Sequence, residues 1–205
     1  MHTNNPYAHA GWPNPNPNAV GRGSGGGSIP PSLLGALPFS APSSPSAMIP
    51  FRFVSMNPDL LNCTVIGPDN SVHFRIVTDN PRPGFTVVHS AQGQGQAVAV
   101  VEWKSHPIVE IRDTVPKQYM GQWLALSGQQ TSRTMEVRGK RYSWAPGRDT
   151  LQMYGLEFNP PALLVKVTRQ ADSIILEISA HAIHAGLLSS CVVGTVLLLC
   201  GRNLD

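Results

Sequence analysis

Five basic residues, Arg133, Arg138, Lys140, Arg141 and Arg148, surround one hairpin-like segment, with Glu136 and Asp149 as the opposing acids. Fixed cations beside turn amides are the chemistry that holds a phosphate or another anionic headgroup. If the segment alternates as strands do, Arg138 faces outward with Glu136, and Lys140 and Arg141 sit at the turn. The same residues also read as solubilising charge on an exposed hairpin.

Residues able to break or make bonds are harder to find. The chain has no GxSxG elbow, no HExxH, no Walker loop and no cysteine in an oxyanion context, so an enzyme is not expected. Glu102, Glu110 and Asp113 are the available carboxylates, yet Glu110 alternates outward against Val109 and Ile111. His181 and His184 could share a helix face. Zinc would need a further ligand, which no spacing supplies, so no metal or cofactor is expected. His73, His89 and His106 lie on or beside strand-like segments, mostly on their wet faces. Trp103, Trp144 and Tyr142 occupy strand positions and read as core or rim packing rather than as a stacking platform.

Composition narrows the setting. The 205 residues fit one domain with an appendage, and a formal charge of +3 is too small for a nucleic-acid binder. Cys63, Cys191 and Cys200 form no CxxC, and Cys191 and Cys200 fall on opposite sides of a helix, so the thiols read as reduced and the protein as cytoplasmic. No basic region followed by an apolar run opens the chain, so no secretory signal is expected and the Asn62-Cys63-Thr64 sequon reads as chance.

Two materials make up the chain. Residues 1–49 hold Asn14-Pro15-Asn16-Pro17-Asn18 and a glycine-serine run at 21–28, with Arg22 as their one charge, and read as a disordered arm. The GxGxxG match at Gly21, Gly23 and Gly26 has no strand before it or helix after it and carries nothing. Residues 30–39 could serve as a short docking peptide, or simply as an arm with a few apolar residues. Residues 50–205 form the domain. Val72, Phe74 and Ile76 alternate with His73 and Arg75, and Met135 and Val137 with Glu136 and Arg138. Leu163, Val165 and Val167 alternate with Leu164 and Lys166, and Ile174, Leu176 and Ile178 with Ile175 and Glu177. Each segment has one dry face, and the short connections rich in Gly, Pro, Asn and Asp demand antiparallel neighbours. Residues 116–126 could add a helical turn.

About ten to twelve such strands hide their edges best by closing into a barrel, which is then too wide for its own side chains to fill. The C-terminal stretch, about residues 180–200, supplies a filling. It has no Asp, Glu, Lys or Arg, and as one helix its apolar core of residues 181–199 would run about 28 Å. An all-apolar helix is surrounded by protein or by lipid, and this length suits a barrel plug and a membrane tail anchor alike.

Val100-Val101-Glu102-Trp103 ahead of His106-Pro107, Thr131-Ser132-Arg133-Thr134-Met135, Gly139-Lys140 and Tyr142-Ser143-Trp144 resemble a family of fungal proteins known as a domain of unknown function, itself similar to the tubby and LURP-one group. The likeness spans about residues 51–199. It implies a mainly β fold, a closed antiparallel barrel around a central C-terminal helix. It also implies a capacity to bind phosphoinositides, without transferring any particular residue. With the basic hairpin and the missing catalytic motifs, the chain reads as a non-catalytic module for a phospholipid headgroup or a protein partner, with at most peripheral membrane contact; the alternative is a tail-anchored membrane protein with a cytosolic β-domain. After the apolar stretch only Arg202 and Asp205 are charged, fewer than the resemblance leads one to expect.

Overall fold

A computed structural model describes residues 47–78, 84–92 and 95–205. The readings placed on residues 1–46 lie outside them, as do residues 79–83, 93 and 94.

Alternating apolar residues build two antiparallel meanders. The first comprises β1 (Met48–Val54), β2 (Cys63–Ile66), β3 (Val72–Thr78), β4 (Phe85–Ser90), β5 (Ala97–Glu102), β6 (Ile108–Ile111) and β7 (Val115–Tyr119). A single turn, α1 (Met120–Trp123), leads to the second: β8 (Ala125–Leu126), β9 (Arg133–Val137), β10 (Lys140–Pro146), β11 (Thr150–Gly155), β12 (Ala162–Arg169) and β13 (Ile174–Ser179). Two helices follow, α2 (Ala180–His184) and α3 (Leu188–Leu199). Pairing of β1 with β13, from Met48 opposite Ser179 to Phe53 opposite Ile174, fuses the meanders into one 13-stranded sheet with β7 and β8 as its edges. The strands thus number more than the ten to twelve expected, and β1 begins two residues earlier than the domain boundary at residue 50.

Connectivity bends this sheet. Laid flat, thirteen strands would span about 58 Å. Only residues 120–124 separate the two edge strands, a link that reaches about 22 Å at most. The sheet therefore curls and brings β7 and β8 near one another, although no hydrogen bonds join them. Residues of α1 stand in the seam: the Met120 amide donates to the Pro107 carbonyl at 2.8 Å, and Met120, Trp123 and Leu124 are buried.

The apolar C-terminal stretch lies inside the curl. Counted from the β7 edge, α3 packs against the third strand (β5), the eighth (β13) and the eleventh (β10, through Trp144 at Gly194), contacts no flat sheet could offer one helix. Ser190 to Leu197 are all buried. One continuous helix over residues 181–199 is not found. Gly186, with φ of 74°, ends α2: its own amide donates to the Ile183 carbonyl and the Leu187 amide to that of Ala182, the paired bonds of a Schellman cap. The remaining 12-residue helix is about 18 Å long, short of the roughly 30 Å hydrocarbon core of a bilayer. Among the described residues no helix is long and apolar enough to cross a membrane.

A second correction concerns β12. Leu163, expected on the dry face, is 39% exposed, and Leu164, expected on the wet face, is 3% exposed. Pairing steps from Tyr154–Leu163 to Met153–Val165, so Leu164 is the extra residue of a bulge and turns inward. Elsewhere Phe74, Ile76, Met135, Val137, Ile174, Leu176 and Ile178 are all buried as expected, while Val72 is only half-buried, where the β2–β3 pairing shifts at Ile66.

Candidate anion-binding end of the sheet

The β9–β10 hairpin is closed by two residues, Arg138 and Gly139, both at positive φ (51° and 74°), the handedness that suits a two-residue turn between twisted strands. Val137 pairs with Lys140, Glu136 with Arg141, Met135 with Tyr142, and Arg133 with Trp144. Met135, Val137, Tyr142 and Trp144 point into the core, which drives Glu136 and Arg141 outward. Arg138 thus belongs to the turn itself, not to the outward face of a strand, and Lys140 and Arg141 open β10.

The structure divides the five cations between two ends of the sheet. Arg138, Lys140 and Arg141 gather at the hairpin tip, all exposed. Arg133, opposite Trp144, lies roughly 13 Å along the strand from Lys140, and Arg148 lies in the turn past Pro146, roughly 20 Å or more away. Arg133 donates to Asp205 at 2.7 and 3.1 Å and to the Leu124 carbonyl at 2.8 Å, and its guanidinium holds the Asp205 carboxyl below the usual carboxylate range. Arg148 lies in the β10–β11 turn and lines a groove of about 320 Å³ with Arg169 and Leu199, the last residue of α3.

At the tip, Gly139, Lys140, Arg141, Leu156 and Glu157 line a groove of about 350 Å³. Lys140 Nζ sits 3.0 Å from Glu157 Oε2, and hydrogen bonding to that carboxylate raises the lysine above its ordinary pKa. Arg141 stands across from Glu136. Arg138 turns toward the link between α2 and α3, where its Nη1 donates to the Ala185 carbonyl at 3.5 Å. Leu156, 40% exposed, gives the groove an apolar lip. The long-range approach of Arg138 to residues 185 and 186 has no counterpart in local spacing. Gly186, a C-cap glycine between two apolar runs, was the signal that the chain turns there.

The other candidate residues are engaged elsewhere. Glu102 is 9% exposed and lies 2.7 Å from Lys104, with Lys117 on its other oxygen; Lys104 first and then Lys117 lower its pKa, the wrong direction for a general acid. Glu110 is exposed on β6, and Asp113 occupies a positive-φ turn position. Trp144 and Tyr142 are core, and Trp103 donates to Thr86 Oγ1 at 2.8 Å beneath the Arg202 guanidinium. His181 packs edge-on against Phe158, and His184 Nδ1 bonds the Ala180 carbonyl at 2.7 Å. Among the described residues no group of three His, Cys, Asp or Glu side chains could hold a metal ion. Burial pushes the Cys63 thiol up to about 12 and raises Cys191 and Cys200 as well, so none is poised as a thiolate. The groove beside α1, about 480 Å³, holds one carboxylate, Asp205, which is already paired with Arg133.

The model of the family of unknown function DUF6593 matches residues 58–198, and the chain belongs to that family. No curated protein and no solved structure matches the chain.

Proposed function

We propose that the chain is a non-catalytic binding module, a barrel of the tubby and LURP-one kind closed around α3, whose hairpin tip engages an anionic phospholipid headgroup on the cytosolic side of a membrane. The observation that carries the reading is the two-residue turn that sets Lys140 and Arg141 at one exposed end, on a groove shared with Glu157 and lipped by Leu156, with Arg138 beside it. Cations ringing an apolar side chain suit a headgroup region, where the charges meet phosphate and the leucine meets the acyl boundary. Barrel closure draws support from the short link between the sheet edges and from buried α1 residues in the seam. Contact with the membrane is peripheral on this reading, since α3 is engaged inside the fold. An acidic protein surface is the competing partner.

Sedimentation with vesicles tests it. Reversing two charges, Lys140→Glu with Arg141→Glu, should weaken binding to anionic vesicles at least about thirtyfold at near 1 kcal/mol per basic residue. Binding by the double variant equal to that of the parent removes the tip from consideration. Capture by an acidic protein without vesicle binding would turn the reading to that partner.

A further inference from the structure

We infer that Leu156 and Leu163 are a membrane-inserting pair, so that the fold docks on an anionic bilayer by burying two leucines beside the basic hairpin. The inference rests on the phospholipid reading of this rim and names the residues that hold the protein there.

Register places the two leucines on one face. Tyr142 and Gly155 pair with both residues buried, which turns Tyr154 and Leu156 outward. The Leu156 amide donates to the Arg141 carbonyl at 3.2 Å, fixing this leucine beside an outward cation. Leu163 pairs directly with Tyr154, two residues from Leu156. Diagonal neighbours of that kind stand about 7–8 Å apart on the sheet surface, close enough to act together. Lys140 and Arg138 complete the corner.

Packing does not account for both positions. Val165 faces the core, and uninterrupted alternation would turn Leu163 inward with it. The bulge turns Leu163 out instead, and bulges recur where a side chain must be re-aimed. Among the described residues five large apolar side chains are exposed, and Leu156 and Leu163 are the two that meet at one corner.

Magnitudes give the leucines the larger share. Glu157 binds Lys140 and Glu136 stands opposite Arg141, so Arg138, Lys140 and Arg141 face two carboxylates. One unbalanced cation strengthens binding to an anionic leaflet only about fivefold. Each leucine that leaves water for the acyl boundary is worth about tenfold or more. Charge selects an anionic surface and turns this corner toward it, and apolar burial then holds it. Leu163 lies one row, about 7 Å, farther from the tip than Leu156. Both enter only when the outer face of β10–β12 leans toward the bilayer.

The full chain is tested by sedimentation with phosphatidylglycerol vesicles and by surface pressure on monolayers of the same lipid. The parent should bind and raise the pressure. Leu156→Ala with Leu163→Ala should weaken binding at least about tenfold and remove the pressure rise, with the far-UV circular dichroism unchanged. Leu156→Met with Leu163→Met should keep both properties. Leu126→Ala, at an equally exposed leucine of β8, should alter neither. An alanine pair that binds and inserts like the parent, while Lys140→Glu with Arg141→Glu still weakens binding, overturns this inference and leaves the charge reading standing. A parent that binds no vesicle but captures an acidic protein overturns both.

Discussion

Replacing Gly194 by alanine decides whether α3 is enclosed by its own sheet. In a helix exposed to solvent the change stabilises by about 1 kcal/mol, since alanine is the better helix former. Here the new Cβ would stand 3.2 Å from Trp144 Cζ2, 3.4 Å from Cε2 and 3.5 Å from Nε1. That ring cannot easily retreat: it is 1% exposed, and its Nε1 donates to Met135 Sδ at 3.3 Å. Overpacking a tight core costs about 1–3 kcal/mol. The clash should therefore outweigh the gain, with a net loss near 1 kcal/mol and a fall in Tm of about 2–4 °C. Gly194→Val adds two methyl groups against the same ring and should lose at least about 3 kcal/mol. Trp144→Phe combined with Gly194→Ala should show a favourable coupling, because the smaller ring vacates the space the methyl needs. Thermal and urea unfolding followed by circular dichroism measures all five chains, Trp144→Phe alone included. A Gly194→Ala variant that melts above the parent would refute the reasoning, because that sign belongs to a helix with open space beside it.

Two further perturbations probe the wall and the far end. Leu164→Ala should cost about 2–4 kcal/mol and Leu163→Ala under about 0.5 kcal/mol, a contrast that follows from the bulge and would reverse under uninterrupted alternation; urea midpoints report it. The Asp205 carboxyl, held low by Arg133, contributes stability above the unfolded pKa near 4 and loses it as pH falls through the lower folded value. Because Asp205 is half exposed, the pair is worth under about 1 kcal/mol. Asp205→Asn should thus melt slightly below the parent at pH 7 and level with it near pH 2, and a gap that widens on acidification would assign the effect to something else.

The strands were legible because their dry faces repeat every second residue, as at Met135 and Val137 or at Ile174, Leu176 and Ile178. That signal fails where the wet positions are apolar too. In Leu163-Leu164-Val165 no polar residue marks the phase, so the bulge was invisible. The C-terminal stretch was recognisable as something shielded from water, yet Gly186 passed as one more small residue among Ala185, Ser189 and Ser190. A glycine between apolar runs reads as filler or as a cap, and only the bonds from its own amide to Ile183 and from the Leu187 amide to Ala182 tell which. The five cations were grouped by sequence proximity, and a seven-residue strand undoes proximity by carrying its two ends to opposite rims.

Topology explains why those rims differ. Because β13 runs antiparallel to β1, the chain leaves it at Ser179, on the rim where β1 begins and the β9–β10 turn lies. Residues 185–187 are too few to carry the chain to the other rim before α3 begins, so α3 opens beside Arg138 and must run back through the interior to Leu199. Its negative C-terminal end thereby meets the rim that holds Arg148 and Arg169, where cations are favoured. Its positive end meets the rim that holds Arg138, where they are not. The same connectivity that buries the helix leaves one rim electrostatically settled, and on the other it brings the Arg138 guanidinium to the Ala185 carbonyl beside the opening of α3.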